Sequence, residues 1–94
     1  MVNEISLEST VVRSDGVMAG RVDKELVMMS VDRGLYYGLD AIGADIWQRL
    51  AQPLRVADLC AQLVQEYEVE EAECAADVLA MLNDMATDGL IVSY

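Results

Sequence analysis

Hydrophobic and polar positions change period near the middle of this 94-residue chain. From Thr10 to Arg13, and again from Arg21 to Val31, the residues are mostly β-branched or apolar, punctuated by Ser14-Asp15-Gly16 and Gly20, so two strands are expected. Asp32-Arg33-Gly34 reads as a short loop whose glycine takes positive φ. It leads into a third strand over Leu35–Leu39 that forms a hairpin with the second. Alternation along that strand puts Leu35, Tyr37 and Leu39 on one face and Tyr36 and Gly38 on the other.

Beyond Leu39 the apolar residues recur every three or four positions. Asp40 is placed to cap a helix whose stripe is Ile42, Ile46, Trp47 and Leu50. Pro53 ends that segment, and a second stripe, Val56, Leu59, Cys60, Leu63 and Val64, closes near Tyr67. A third helix starts around Glu70, with Glu70, Glu71 and Glu73 complementing the positive end of its dipole and with Cys74, Val78, Met81, Leu82 and Met85 as its stripe. Gly89 serves as its C-terminal cap, and Leu90-Ile91-Val92 reads as a short closing strand or wing. The fold class expected is α+β and winged-helix-like, a three-stranded antiparallel sheet followed by three helices. One domain over residues 1–94 is expected, with the first nine residues partly disordered.

Charge changes this picture of a plain α+β domain. All six bases lie in the first 55 residues beside eight acids, whereas the last 39 carry nine acids and no base, and the whole chain sums to −11. Nucleic-acid binding depends on Lys and Arg displacing counterions, so DNA and RNA are excluded as expected partners. The acidic half is either a solvated helical surface or a docking surface for a basic peptide or enzyme. No apolar run approaches the roughly 20 residues of a membrane span, and the N-terminus shows no signal pattern, so a cytoplasmic protein without a membrane partner is expected.

Candidate chemistry is sparse. The chain has no histidine, and Cys60 and Cys74 are not in CxxC spacing. A zinc site or a Cys–His pair lacks its other members, and both thiols read as small core residues. Gly34, Gly38 and Gly43 fit neither glycine-rich phosphate fingerprint. The segment Leu39-Asp40-Ala41-Ile42 has alanine where an acyl carrier protein needs its phosphopantetheine serine. No catalytic residue, metal or cofactor is expected. What remains is an interaction module: a sheet edge beside a helix can accept an extended peptide as a further strand, with pockets for alternate side chains. Tyr36 and Tyr37 read equally as anchors or as strand filler, Gly38 as a point of close approach or a bend, Trp47 as core, and the methionines as gap-filling or an adaptable groove.

Three segments carry a family resemblance. Tyr37-Gly38-Leu39-Asp40-Ala41-Ile42-Gly43-Ala44-Asp45-Ile46-Trp47, then Leu50-Ala51-Gln52-Pro53-Leu54-Arg55-Val56-Ala57-Asp58-Leu59, then Asp77-Val78 through Leu82 and Met85 to Gly89-Leu90-Ile91, resemble in order and spacing the PqqD-like proteins over roughly residues 10 to 92. Two positions depart from the pattern: Arg55 stands where a Ser or Thr helix cap is usual, and Asp40 replaces the commoner Asn.

The resemblance implies a peptide recognition element of RiPP biosynthesis, which binds a precursor's leader peptide between its third strand and third helix. The proline-bearing segment looks most like the lasso-peptide adaptors, which present a precursor to a cysteine-protease leader peptidase and then a cyclase. A PqqD-type chaperone for a radical-SAM enzyme is the alternative, and a plain dimerising or regulatory winged helix is a third. Carried onto this sequence, the binding strand is Arg33, Leu35, Tyr36, Tyr37 and Gly38, faced on the third helix by Cys74, Asp77, Val78, Met81 and Met85, with Asp77 and Asp84 placed to meet basic leader residues. Periodicity leaves Val78 and Met85 open between groove and core.

Overall fold

A computed structural model describes residues 4–23, 25–30 and 34–94. In chain order the elements are β1 (Thr10–Arg13), β2 (Val17–Val22), β3 (Glu25–Ser30), β4 (Leu35–Leu39), α1 (Ala41–Arg49), β5 (Leu54–Arg55), α2 (Val56–Tyr67), α3 (Glu71–Thr87) and β6 (Ile91–Ser93). The class is the expected one: an antiparallel three-stranded meander, β2-β3-β4, followed by three helices. Membership of that sheet differs from the sequence reading. β1 leaves it and becomes the centre of a second small sheet, β5-β1-β6, and the missing member is β2, which the sequence reading had broken at Gly20. Gly20 is paired with Val27 inside the hairpin, and the chain reverses instead at Asp23, whose φ of 56° is left-handed. Asp tolerates that region because its short polar side chain hydrogen-bonds locally.

The β3–β4 hairpin forms as expected, from Leu26 opposite Leu39 to Ser30 opposite Leu35. Gly34 takes φ 65° and donates to the Ser30 carbonyl at 2.8 Å, while the rest of that loop lies outside the described residues. Leu26, Met28 and Ser30 are buried and alternate with the more exposed Glu25, Val27 and Met29. Cross-strand neighbours share a face, so the outer face carries a row Met18, Met29, Tyr36 and beside it a row Gly20, Val27, Gly38.

Helix ends follow local chemistry. Asp40 Oδ1 accepts the Gly43 amide at 2.8 Å, which caps α1. At the far end of α3, Leu90 N–H donates to the Met85 carbonyl and Gly89 N–H to that of Ala86, with Gly89 at φ 76°. This is the Schellman arrangement, and it starts β6 one residue later than the sequence suggested. Arg55 makes no side-chain cap for α2. The free amides of Val56 and Ala57 donate instead to the carbonyls of Ser9 and Leu7, each at 2.9 Å. Of the first nine residues, expected to be partly disordered, 1–3 lie outside the described residues, and Ile5 is buried and exchanges hydrogen bonds with Asn83 of α3.

One hydrophobic cluster joins both sheets to the helices, drawing Val11 from β1, Met28 from β3, Ile46 and Trp47 from α1, Leu59 and Leu63 from α2, Leu82 and Met85 from α3, and Ile91 from β6. Burial of each such side chain contributes about 1.5–3 kcal/mol. Arg13 ties β1 to α1 by donating to the Trp47 carbonyl at 2.7 Å with its guanidinium 5.0 Å from the indole centroid, where it also meets the negative end of the α1 dipole. Among the described residues no helix is long and apolar enough to cross a membrane.

Candidate peptide-binding groove

Strand β4 is an edge of its sheet. Next to its C-terminal half, the start of α1, the end of α2 and the first half of α3 converge without filling the space between them, leaving a groove of about 640 Å3. Gly38 and Leu39 line it from β4, Ile42, Gly43 and Ile46 from α1, Leu63 and Tyr67 from α2, and Cys74, Asp77, Val78 and Met81 from α3. Leu63 and Val78 are buried, so the floor belongs to the core. The mouth carries Ile42 at 44% exposure and Tyr67 and Val69 at 39% each, apolar groups left in water beside the opening.

The α1–α2 wall is held by a polar cluster at its end. Arg49 donates to both carboxylate oxygens of Asp45 and to Gln62, pairs with Glu66, and Tyr67 Oη donates to Asp45 at 2.6 Å. The Arg49 guanidinium, then the Tyr67 hydroxyl, hold the Asp45 carboxyl below its ordinary pKa, and the same Asp45 contact raises Arg49. Ionised Tyr67 would face that carboxylate, so its phenol is raised. On the floor, burial pushes the Cys60 thiol up to about 11, with Cys74 beside it adding to the rise; Cys74 is also raised, by burial first. Both thiols are free and buried, in keeping with their reading as core residues. Among the described residues no group of three or more His, Cys, Asp or Glu is arranged to hold a metal ion.

The sequence-expected residues divide. Gly38, Cys74, Asp77, Val78 and Met81 meet on the groove. Tyr36 is 72% exposed on the outer sheet face, and Tyr37 packs inward against the core. Leu35 enters through its backbone pairing with Ser30, and Arg33 lies outside the described residues. Met85 is core, and exposed Asp84 does not line the groove. Val78 serves both as core and as floor. The sequence reading missed Glu25, Leu39, Asp40, Ile42, Gly43, Ile46, Leu63, Tyr67, Val69, Glu70 and Glu73 as lining. The one available signal was the width of the α1 stripe, since Ile42 lies too far round the helix from Trp47 for both to be covered.

Fold and site together define a small winged-helix-like α+β module with an apolar groove beside a free strand edge. The family model for coenzyme PQQ synthesis protein D (PqqD) matches residues 25–91. The chain therefore belongs to the PqqD family, as the three sequence segments indicated. Two solved structures are similar. “TbiB1 in Complex with the TbiA(beta) Leader Peptide” is 30% identical with a TM-score of 0.78, covering 88% of this chain and 96% of that one. “Lasso peptide synthetase B1 complexed with the leader peptide” is 26% identical with a TM-score of 0.76, covering 87% and 96%. No curated protein matches the chain.

Proposed function

We propose that this chain is a non-catalytic adaptor that binds the leader of a ribosomally made precursor as an added strand along β4. It then presents the precursor to the leader peptidase and cyclase of lasso-peptide biosynthesis, in the cytoplasm. The observation that carries the reading is the groove itself: an apolar space, open beside a sheet edge, in a chain similar to two solved structures that are each described with a leader peptide. Edge pairing supplies affinity independent of guest sequence, and the floor between Leu39, Leu63 and Val78 selects apolar guest side chains. On this reading Gly38, Cys74, Asp77, Val78 and Met81 contact the leader from the groove, and exposed Tyr36 meets guest side chains that point to the outer face.

The family's own description favours a second reading, in which the chain serves a radical-SAM enzyme of the kind pyrroloquinoline quinone synthesis uses. Genes beside this one separate the two: a transglutaminase-like protease with an asparagine-synthetase-like cyclase, or a radical-SAM enzyme. The direct test is a titration of the labelled leader encoded beside the gene against wild type, Met81→Ala and Tyr36→Ala. Submicromolar binding, equivalent to more than about 8 kcal/mol, weakened most by Met81→Ala, is the expected result. Absence of binding at tens of micromolar sinks leader recognition in both forms.

A further inference from the structure

We infer that the groove takes a cationic guest, an extended segment in which apolar side chains are interleaved with lysine or arginine. The inference rests on the leader-binding reading and adds the chemical class of leader. Five carboxylates surround the apolar floor: Glu25 and Asp40 on the strand side, Glu70 at the N-cap of α3, and Glu73 and Asp77 on α3 itself, three and then four residues further on. Among the described residues no lysine or arginine lines the groove. Both ion pairs among the described residues are made by Arg49, to Asp45 and Glu66, so none of the five has a described cationic partner.

All five are exposed. Like charges around a concave apolar surface concentrate a negative potential over the space a guest must enter, and an anionic segment there adds repulsion while a cationic one relieves it. Geometry gives the charges distinct tasks. A strand added beside β4 turns alternate side chains into the groove, where apolar groups meet the floor and longer basic ones reach the α3 carboxylates. The intervening side chains lie towards the outer face. There Glu25 Oε2 stands 3.3 Å from the position a β-carbon would occupy at Gly38, directly over the strand that the guest would pair with.

The test uses the fluorescein-labelled leader encoded beside this chain, a version with its Lys and Arg replaced by glutamine, and three proteins: wild type, Glu73→Gln/Asp77→Gln, and Asp58→Asn as a charge control on α2 away from the groove. Affinity is expected to fall on the order of tenfold between about 0.05 M and about 0.5 M NaCl, as exposed charges are screened. It should fall severalfold for the double variant and for the glutamine leader, and stay unchanged for Asp58→Asn. Tight binding indifferent to salt, to the double variant and to the glutamine leader overturns the cationic assignment and leaves leader recognition standing. An encoded leader that binds yet holds no basic residue does the same, and no binding of the unaltered leader to wild type overturns both.

Discussion

Tyr67 Oη donates a 2.6 Å hydrogen bond to Asp45 Oδ2, joining the last residue of α2 to the middle of α1. Because Arg49 grips the same carboxylate, Asp45 is held in its charged form and its pKa is lowered from 3.8. A carboxyl whose folded pKa lies below its unfolded one contributes stability that is fully present above the unfolded value and is lost as pH falls through the folded value. Asp45→Asn should therefore cost stability at neutral pH, on the order of 1 kcal/mol or less for a pair this exposed, and that difference should hold down to about pH 4 and then shrink progressively as the pH is lowered further. Urea unfolding of both proteins from neutral to acid pH checks it. A constant difference at every pH would show that Asp45 acts through packing alone.

The same contact predicts a spectroscopic signature. Tyr67 is raised above 10.0, chiefly by its bond to Asp45, so in an alkaline absorbance titration Tyr67→Phe should remove a component from the upper end of the tyrosine curve. Loss of a component from the lower end would contradict the Tyr67–Asp45 bond.

Asn83 links the first described residues to α3. Its amide accepts from Ile5 N–H at 2.9 Å and donates to the Leu79 carbonyl at 2.9 Å, and Leu7 and Ser9 in turn supply the carbonyls that cap α2. Asn83→Ala leaves the Ile5 amide without its partner and should cost about 1–3 kcal/mol. Hydrogen exchange should accelerate at Ile5 and, through release of the 5–9 segment, at Val56 and Ala57. Protection at Val56 and Ala57 equal to wild type would mean that their caps stand independently of Asn83.

Cys60 lies in the α2 stripe with its thiol pushed up to about 11, so almost no thiolate exists at neutral pH. In the native protein, iodoacetamide should label neither Cys60 nor Cys74 on a timescale at which both react in denaturant, as read by mass spectrometry. Rapid native labelling of Cys60 would show that α2 and α3 separate far more readily than their buried stripes imply.

The helical half of the molecule was legible because each end carries its own signal: Asp40 caps α1, and Gly89 closes α3. The α3 side of the groove was legible for a related reason, since Cys74, Asp77, Val78 and Met81 fall on adjoining stripes of one helix. The α1 and α2 contributions were not. An apolar periodicity marks which side of a helix faces inward, but not whether the neighbour on that side is packed or set apart, and Ile42, Leu63, Tyr67 and Val69 become groove residues only through that gap. Tyr36 illustrates the converse: strand alternation gave its face correctly, and only the sheet order shows that this face is the uncovered one.

The turn misplaced at Gly20 offers the last test, because two positions competed for it. Gly20 lies within β2 without positive φ, and nothing stands within 4 Å of an added β-carbon there. Asp23 holds the left-handed conformation between Val22 and Glu25, which pair directly across the hairpin. Gly20→Thr should consequently leave stability unchanged or raise it by up to about 1 kcal/mol, since a β-branched residue suits a strand and glycine weakens one. Asp23→Val should cost about 1–2 kcal/mol, because a branched side chain collides with the backbone at positive φ, whereas Asp23→Gly should be tolerated. Urea midpoints of the three variants decide the matter. A costly Gly20→Thr with a harmless Asp23→Val would return the turn to Gly20, and it would shift by one residue or more the register that sets Met18, Met29 and Tyr36 in one row.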